Sequence, residues 1–157
     1  MSIRLLLVIP DPQTQALFDA CLEAALTLVH HDVVVTRVDT RDALARRVSA
    51  AQDDVVFLDW RLAGPDTPDL VRALMCANPR VRTVVLLPFQ VRQYRQVIWD
   101  AGACSSIPME YLDQEWVSSA LCLISRAMQR EARAASGAWA VASAMAPAMG
   151  ESAVNMK

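Results

Sequence analysis

Asp59 closes the apolar run Val55–Leu58 and is followed by Trp60-Arg61-Leu62-Ala63-Gly64-Pro65-Asp66, a segment rich in turn formers. A carboxylate at the end of a buried strand caps the next turn, sits as a solvated edge residue, or works on something bound at the sheet edge. Other apolar runs also end in candidates. Pro10-Asp11-Pro12 follows Ile3–Ile9, Pro88-Phe89 follows Thr83–Leu87, and Pro108-Met109-Glu110 follows Cys104–Ile107. Elsewhere chemistry is scarce. His30-His31 has no Cys at ligand spacing, so the pair reads as loop imidazoles in water rather than a metal site. Cys21, Cys76, Cys104 and Cys122 form no C-x-x-C pair and read as reduced thiols, most of them on core faces of helices. No Ser, His or Cys stands in a nucleophile motif such as G-x-S-x-G, so no enzyme is expected. The segment Ile9–Thr14 lacks glycine and offers one hydroxyl, a poor cradle for a cofactor phosphate, and no cofactor is expected.

The elements that must position these residues alternate. The runs Ile3–Ile9, Val33–Val38, Val55–Leu58 and Thr83–Leu87 are dominated by Val, Ile and Leu, the pattern of strands buried on both faces. The fifth, Cys104–Ile107, is placed mainly by its position. Between them, helical spacing puts Phe18, Cys21, Leu22 and Ala25 on one core face, Ala43, Leu44 and Val48 on another, and Leu70, Ala73, Leu74 and Ala77 on a third. Trp99 falls on the inner face of a fourth helix. A final helix starts near Asp113 and runs through Trp116, Ala120, Leu123 and Met128 to about Ala135. Such alternation predicts an α/β fold with a parallel sheet and right-handed crossovers. Trp60 is large for its place; it lids the site, joins a docking surface, or is a half-buried edge aromatic.

The chain has 157 residues, 54% of them apolar, which suits one domain with a sizeable core. That domain is expected over 1–135, with an Ala/Met-rich tail or linker over 136–157. Fifteen basic and seventeen acidic side chains leave a net charge of −2, which argues against direct nucleic-acid binding. The only lysine is Lys157; every other basic residue is arginine. No secretory leader is read at the start, and the uncharged run from Ser136 to Gly150 is too short for a bilayer, so a cytoplasmic protein without membrane contact is expected. Trp139, Val141, Met145 and Met149 would leave an apolar patch on an isolated helix, which predicts a homodimer or a tail docked on another chain.

An Asp closing a buried strand, the Leu62-Ala63-Gly64 turn, and Ala101-Gly102-Ala103 before the fifth strand together resemble bacterial response-regulator receiver domains. The resemblance spans roughly 3–130 and implies a flavodoxin-like, doubly wound five-stranded sheet of order 2-1-3-4-5. It also makes Asp59 the candidate phosphoacceptor, with a histidine kinase or an effector as protein partner. The family adds an acidic pair after strand one, a Thr or Ser after strand four and a Lys after strand five. Aligning Pro12 with the family's Pro puts Thr14, Leu17, Phe18 and Cys21 on the core face; Ile9 and Pro10 then replace the acidic pair, and only Asp11 remains beside it. Pro88 stands at the hydroxyl position with neither a hydroxyl nor an N–H, and Phe89 crowds the space beyond it. Met109 replaces the Lys and Glu110 the following Pro; a two-residue deletion would put Ile107 there instead. Ser106 holds the position of the family's aromatic switch.

Asp11 and Asp59 would form a poor Mg²⁺ site, and the rim is expected to hold no fixed cation. These departures imply a pseudo-receiver, a non-catalytic signalling module acting through protein contacts or dimerisation. The alternative is a two-component regulator phosphorylated at Asp59, a module that would suit the input half of a transcription regulator. The family's interaction face maps onto Arg92, Arg95, Met109, Tyr111, Asp113, Glu115, Arg126 and Arg130. Within it, Arg92, Tyr94 and Arg95 read as a solvated face or a salt-bridging dimer surface.

Overall fold

The computed structural model describes residues 2–145, and among these residues five parallel strands pair in the order β2-β1-β3-β4-β5. They are β1 (Ser2–Val8), β2 (Asp32–Val38), β3 (Val55–Asp59), β4 (Arg82–Leu87) and β5 (Ser105–Pro108). The connecting helices are α1 (Pro12–Leu26), α2 (Arg41–Ser49), α3 (Thr67–Ala77) and α4 (Arg95–Ala101), and α5 (Gln114–Met145) follows the last strand. This is the doubly wound order that the resemblance implies. It sets the carboxyl end of β3 between those of β1 and β4, so loops from three neighbouring strands surround Asp59.

Every residue of β3 is buried, as a strand flanked on both edges and both faces requires. Strand β2 departs from expectation. Its residues alternate between exposed and half-buried because it is the edge strand, and Val34 faces solvent. Helix α1 begins where Asp11 accepts from the Thr14 N–H and Pro12 supplies a preset φ at the first turn. It buries Phe18, Leu22 and Ala25, with the Phe18 ring 4.9 Å from that of Phe57. Leu17, expected on the same face, is 50% exposed, since it lies about 100° around the helix from Phe18.

The phase of α3 differs too. Its buried stripe is Thr67, Pro68, Val71 and Leu74, so Ala73 and Ala77 face outward rather than inward. In α4 the anchors are Ile98 and Ala101, and Trp99 is 60% exposed instead of lying in the core. In α5 Val117, Leu121, Ile124 and Ser125 are buried, which turns Trp116 and Leu123 to solvent. The thiols depart from expectation as well: Cys76, Cys104 and Cys122 are exposed and Cys21 is half-buried. Small apolar side chains gain less from burial than the Val and Leu that set each helix's phase.

Gly102 ends α4 at φ 114°, a backbone conformation that side chains disfavour, and a Cβ there would lie 2.8 Å from Met75 Cγ. Gly102→Ala is expected to lose about 1–3 kcal/mol in urea unfolding, from backbone strain and this contact together.

The chain divides into two compact units, Met1–Leu123 and Ile124–Lys157. The first contains the sheet and α1–α4. In the second, α5 continues to Met145 rather than ending near Ala135, because its Ala-rich sequence favours helix and Gly137 alone does not break it. It thus passes unbroken through the position where the composition changes. Trp139 is 76% exposed on this segment. The side chains of Val141 and Met145, and Met149 altogether, lie outside the described residues. No helix among the described residues is long and apolar enough to cross a membrane.

Candidate functional site

Asp59 is the last residue of β3, and its side chain is fully buried. Its Oδ1 accepts from the Arg61 backbone N–H at 2.9 Å, capping a single tight turn over Trp60–Leu62. The carboxylate is therefore a cap, as one of the readings held, and not a solvated edge residue. The turn brings the Arg61 side chain back over the strand end. Arg61 Nη2 donates to Asp59 Oδ2 at 2.8 Å, and Nε lies 3.2 Å from both oxygens.

The guanidinium reaches further. Nη2 also donates to Thr14 Oγ1 at 2.5 Å, and Nη1 lies 3.6 Å from Asp11 Oδ2. Thr14 in turn donates to Asp11 Oδ2 from its hydroxyl at 2.7 Å and from its backbone N–H at 2.8 Å. One continuous network thus joins Asp59, Arg61, Thr14 and Asp11. The expectation of a rim without a fixed cation is overturned: the cation is Arg61. It was hidden because Arg61 follows the strand inside a turn, where sequence spacing alone does not fix the direction of a side chain. The tight turn over Trp60–Leu62 folds the guanidinium back onto Asp59.

Pairing raises the Arg61 pKa, chiefly through the hydrogen bonds to Asp59, with burial opposing. The Thr14 hydroxyl and N–H hold Asp11 below the ordinary carboxylate range, and the Arg61 charge adds to this. A lowered folded-state pKa stabilises the fold above the ordinary range, and that contribution is lost as pH falls through the lowered value.

The geometry decides what Asp59 can do. Arg61 aims three N–H groups at the two oxygens of Asp59, its backbone N–H, its Nη2 and an Nε–H shared between both oxygens. Mg²⁺ demands octahedral oxygen ligation. Asp59 is held by Arg61, Asp11 Oδ2 by Thr14, and the neighbouring Ile9 and Pro10 bring no side-chain oxygen, so these residues do not fit the ion.

The rest of the rim is closed in a different way. Pro88 is buried after β4, and the next amide, Phe89 N–H, donates to the Glu110 carboxylate at 2.9 Å and 3.1 Å. Glu110 thereby clasps the loop after β4 to the loop after β5, a role that no sequence signal announced. Met109 is half-buried and lines an open cleft of about 320 Å³ with Thr14, Leu17, Arg61, Pro88 and Glu110.

Trp60 is neither a lid nor a half-buried edge aromatic. It is 7% exposed and packs into the core below the site, its ring 4.7 Å from that of Tyr94. Tyr94 is accordingly half-buried and not part of a solvated face. Arg92, Arg95 and Tyr111 are exposed on the first unit, with the Arg92 guanidinium 4.4 Å above the Phe89 ring. Arg126 and Arg130 are exposed on α5 in the second unit. Among the described residues no carboxylate pairs with Arg92 or Arg95, and no cluster of three metal-ligating side chains occurs.

No family model and no curated protein matches the sequence. Solved structures do match. A two-component response regulator from Clostridium difficile superposes with a TM-score of 0.65 at 14% identity, over 80% of this chain and 98% of its own. The receiver domain of a sensor histidine kinase from Pseudomonas aeruginosa, which holds a magnesium ion in its active-site cleft, gives 0.61 at 19% identity over 80% and 97%. A streptococcal protein from a family of redox sensors evolved from response regulators gives 0.67 at 16% identity, over 83% of this chain and 54% of its own. These superpositions, at such low identity, show the fold: the chain has the fold of response-regulator receiver domains.

Proposed function

We propose that this chain is a non-catalytic signalling module of the receiver type, working in the cytoplasm through protein contacts, with Arg61 holding its acceptor site in one state. The observation that carries this reading is the fully buried Asp59 bound on both oxygens by Arg61. Phosphoryl transfer to a carboxylate needs a free nucleophilic oxygen and mobile or preplaced positive charge for the transferring group. Here the nearest positive charge is spent on the nucleophile itself. The receiver fold is not tied to phosphoryl chemistry, since the streptococcal redox sensors share it. The exposed stretch of α5 over 130–140, with Trp139, is the element we assign to contact with a second copy of the chain.

Incubation with Mg²⁺ and acetyl phosphate tests the reading by intact mass and light scattering. The mass should stay that of the bare chain and the oligomeric state should not move. A stable phosphoryl adduct on Asp59 that alters the oligomeric state would make this a working phosphorylation-dependent regulator instead.

A further inference from the structure

We propose that the cleft between α4 and β5 is a binding site for a mononucleotide. The cleft measures about 460 Å³, within the range of small-molecule sites, and shares no residue with the Arg61 network. Its lining carries two arginines, Arg92 and Arg95, and no carboxylate. The Arg95 side chain has no hydrogen-bonding or ionic partner among the described residues, and the Arg92 guanidinium meets only the Phe89 carbonyl and ring. Two guanidinium groups without an acidic partner in one cleft favour an anion there.

A second feature narrows the ligand. Trp99 lines the same cleft and is 60% exposed, and it lies four residues from Arg95, hence on the same face of α4. An exposed indole beside arginines suits a flat aromatic ring carrying phosphate, because stacking is worth roughly 1–3 kcal/mol per base. The half-buried Ser105 and Ser106 and the Gln93 amide offer hydroxyl and amide groups for sugar and base edges. Ile98 and Ala103 complete an apolar floor. A bare phosphate would use only the arginines. An acidic peptide would use the arginines and the rim without needing the polar recess.

Calorimetric titration of the full chain with AMP, ADP, ATP and GTP, with inorganic phosphate and an acidic peptide as comparisons, tests this. At least one nucleotide should bind at least tenfold tighter than phosphate, with affinity falling as salt rises. Arg95→Ala and Trp99→Ala alter exposed side chains, so both variants should keep the parent circular-dichroism spectrum. Each should weaken nucleotide binding about tenfold, from a lost charge-assisted hydrogen bond or a lost stack. No nucleotide binding at millimolar concentration, equal affinity for phosphate, tighter binding of the acidic peptide, or unchanged affinity in both variants would each overturn the proposal. A labelled Asp59 has no bearing on the result, so this outcome and that of the phosphodonor experiment remain separable.

Discussion

Arg61→Ala should destabilise the fold by about 2–4 kcal/mol in urea unfolding, a loss placed below the full cost of breaking a buried ion pair because Arg61 is partly exposed. The alanine variant leaves Asp59 sealed in the core end of β3 with its backbone cap bond and little else. An uncompensated buried carboxylate is among the few single changes that cost this much. Arg61→Lys should recover only part of the loss, since an ammonium cannot present the forked donors that meet both oxygens. Asp59→Asn in the Arg61→Ala background should restore most of the stability, because the amide still accepts the cap bond and carries no charge. The double-mutant cycle thereby isolates the pair. If Arg61→Ala unfolded at the parent midpoint, the guanidinium would be a surface ornament and the account would fail.

Trp60→Ala is the second large effect. Trp60 is almost fully buried, sits in the cluster with Leu58, Val85, Leu87 and Ile98, and packs on Tyr94. Removing so large a side chain should cost about 3–5 kcal/mol, from lost burial and the cavity left behind. The stacking partner gives a specific signature. Tyr94 begins α4, so losing the ring contact should weaken near-ultraviolet circular dichroism and increase amide exchange in α4 ahead of α3. Trp60→Phe should retain most of the packing. Equal protection of α4 in the parent and the alanine variant would show that Trp60 fills space without holding that helix.

Much of this arrangement was legible in the residues. The strand positions follow from short Val/Ile/Leu runs, Asp59 from the end of one of them, and the missing hydroxyl and amide from Pro88. What escaped has physical causes. Arg61 is brought onto Asp59 by a three-residue turn, and such reversals are written in backbone conformation rather than in residue type. The phase of α4 escaped because seven residues give too few turns for a periodicity, so Trp99 drew the inner face by size while Ile98 and Ala101 took it. The exposure of β2 follows from being last in the sheet, which its valines do not reveal. Glu110 escaped because its partner is a backbone N–H, a donor that every residue but proline carries.

The central claim is that a tethered guanidinium occupies the ground on which a divalent cation and a phosphoryl group would otherwise meet Asp59. Its most direct test is a crystal structure of the protein grown with Mg²⁺ and beryllofluoride. The account predicts Arg61 still on both oxygens of Asp59, with no ordered metal and no beryllium adduct. An ordered Mg²⁺ bridging Asp11 and Asp59, with the Arg61 side chain swung out to solvent, would contradict it.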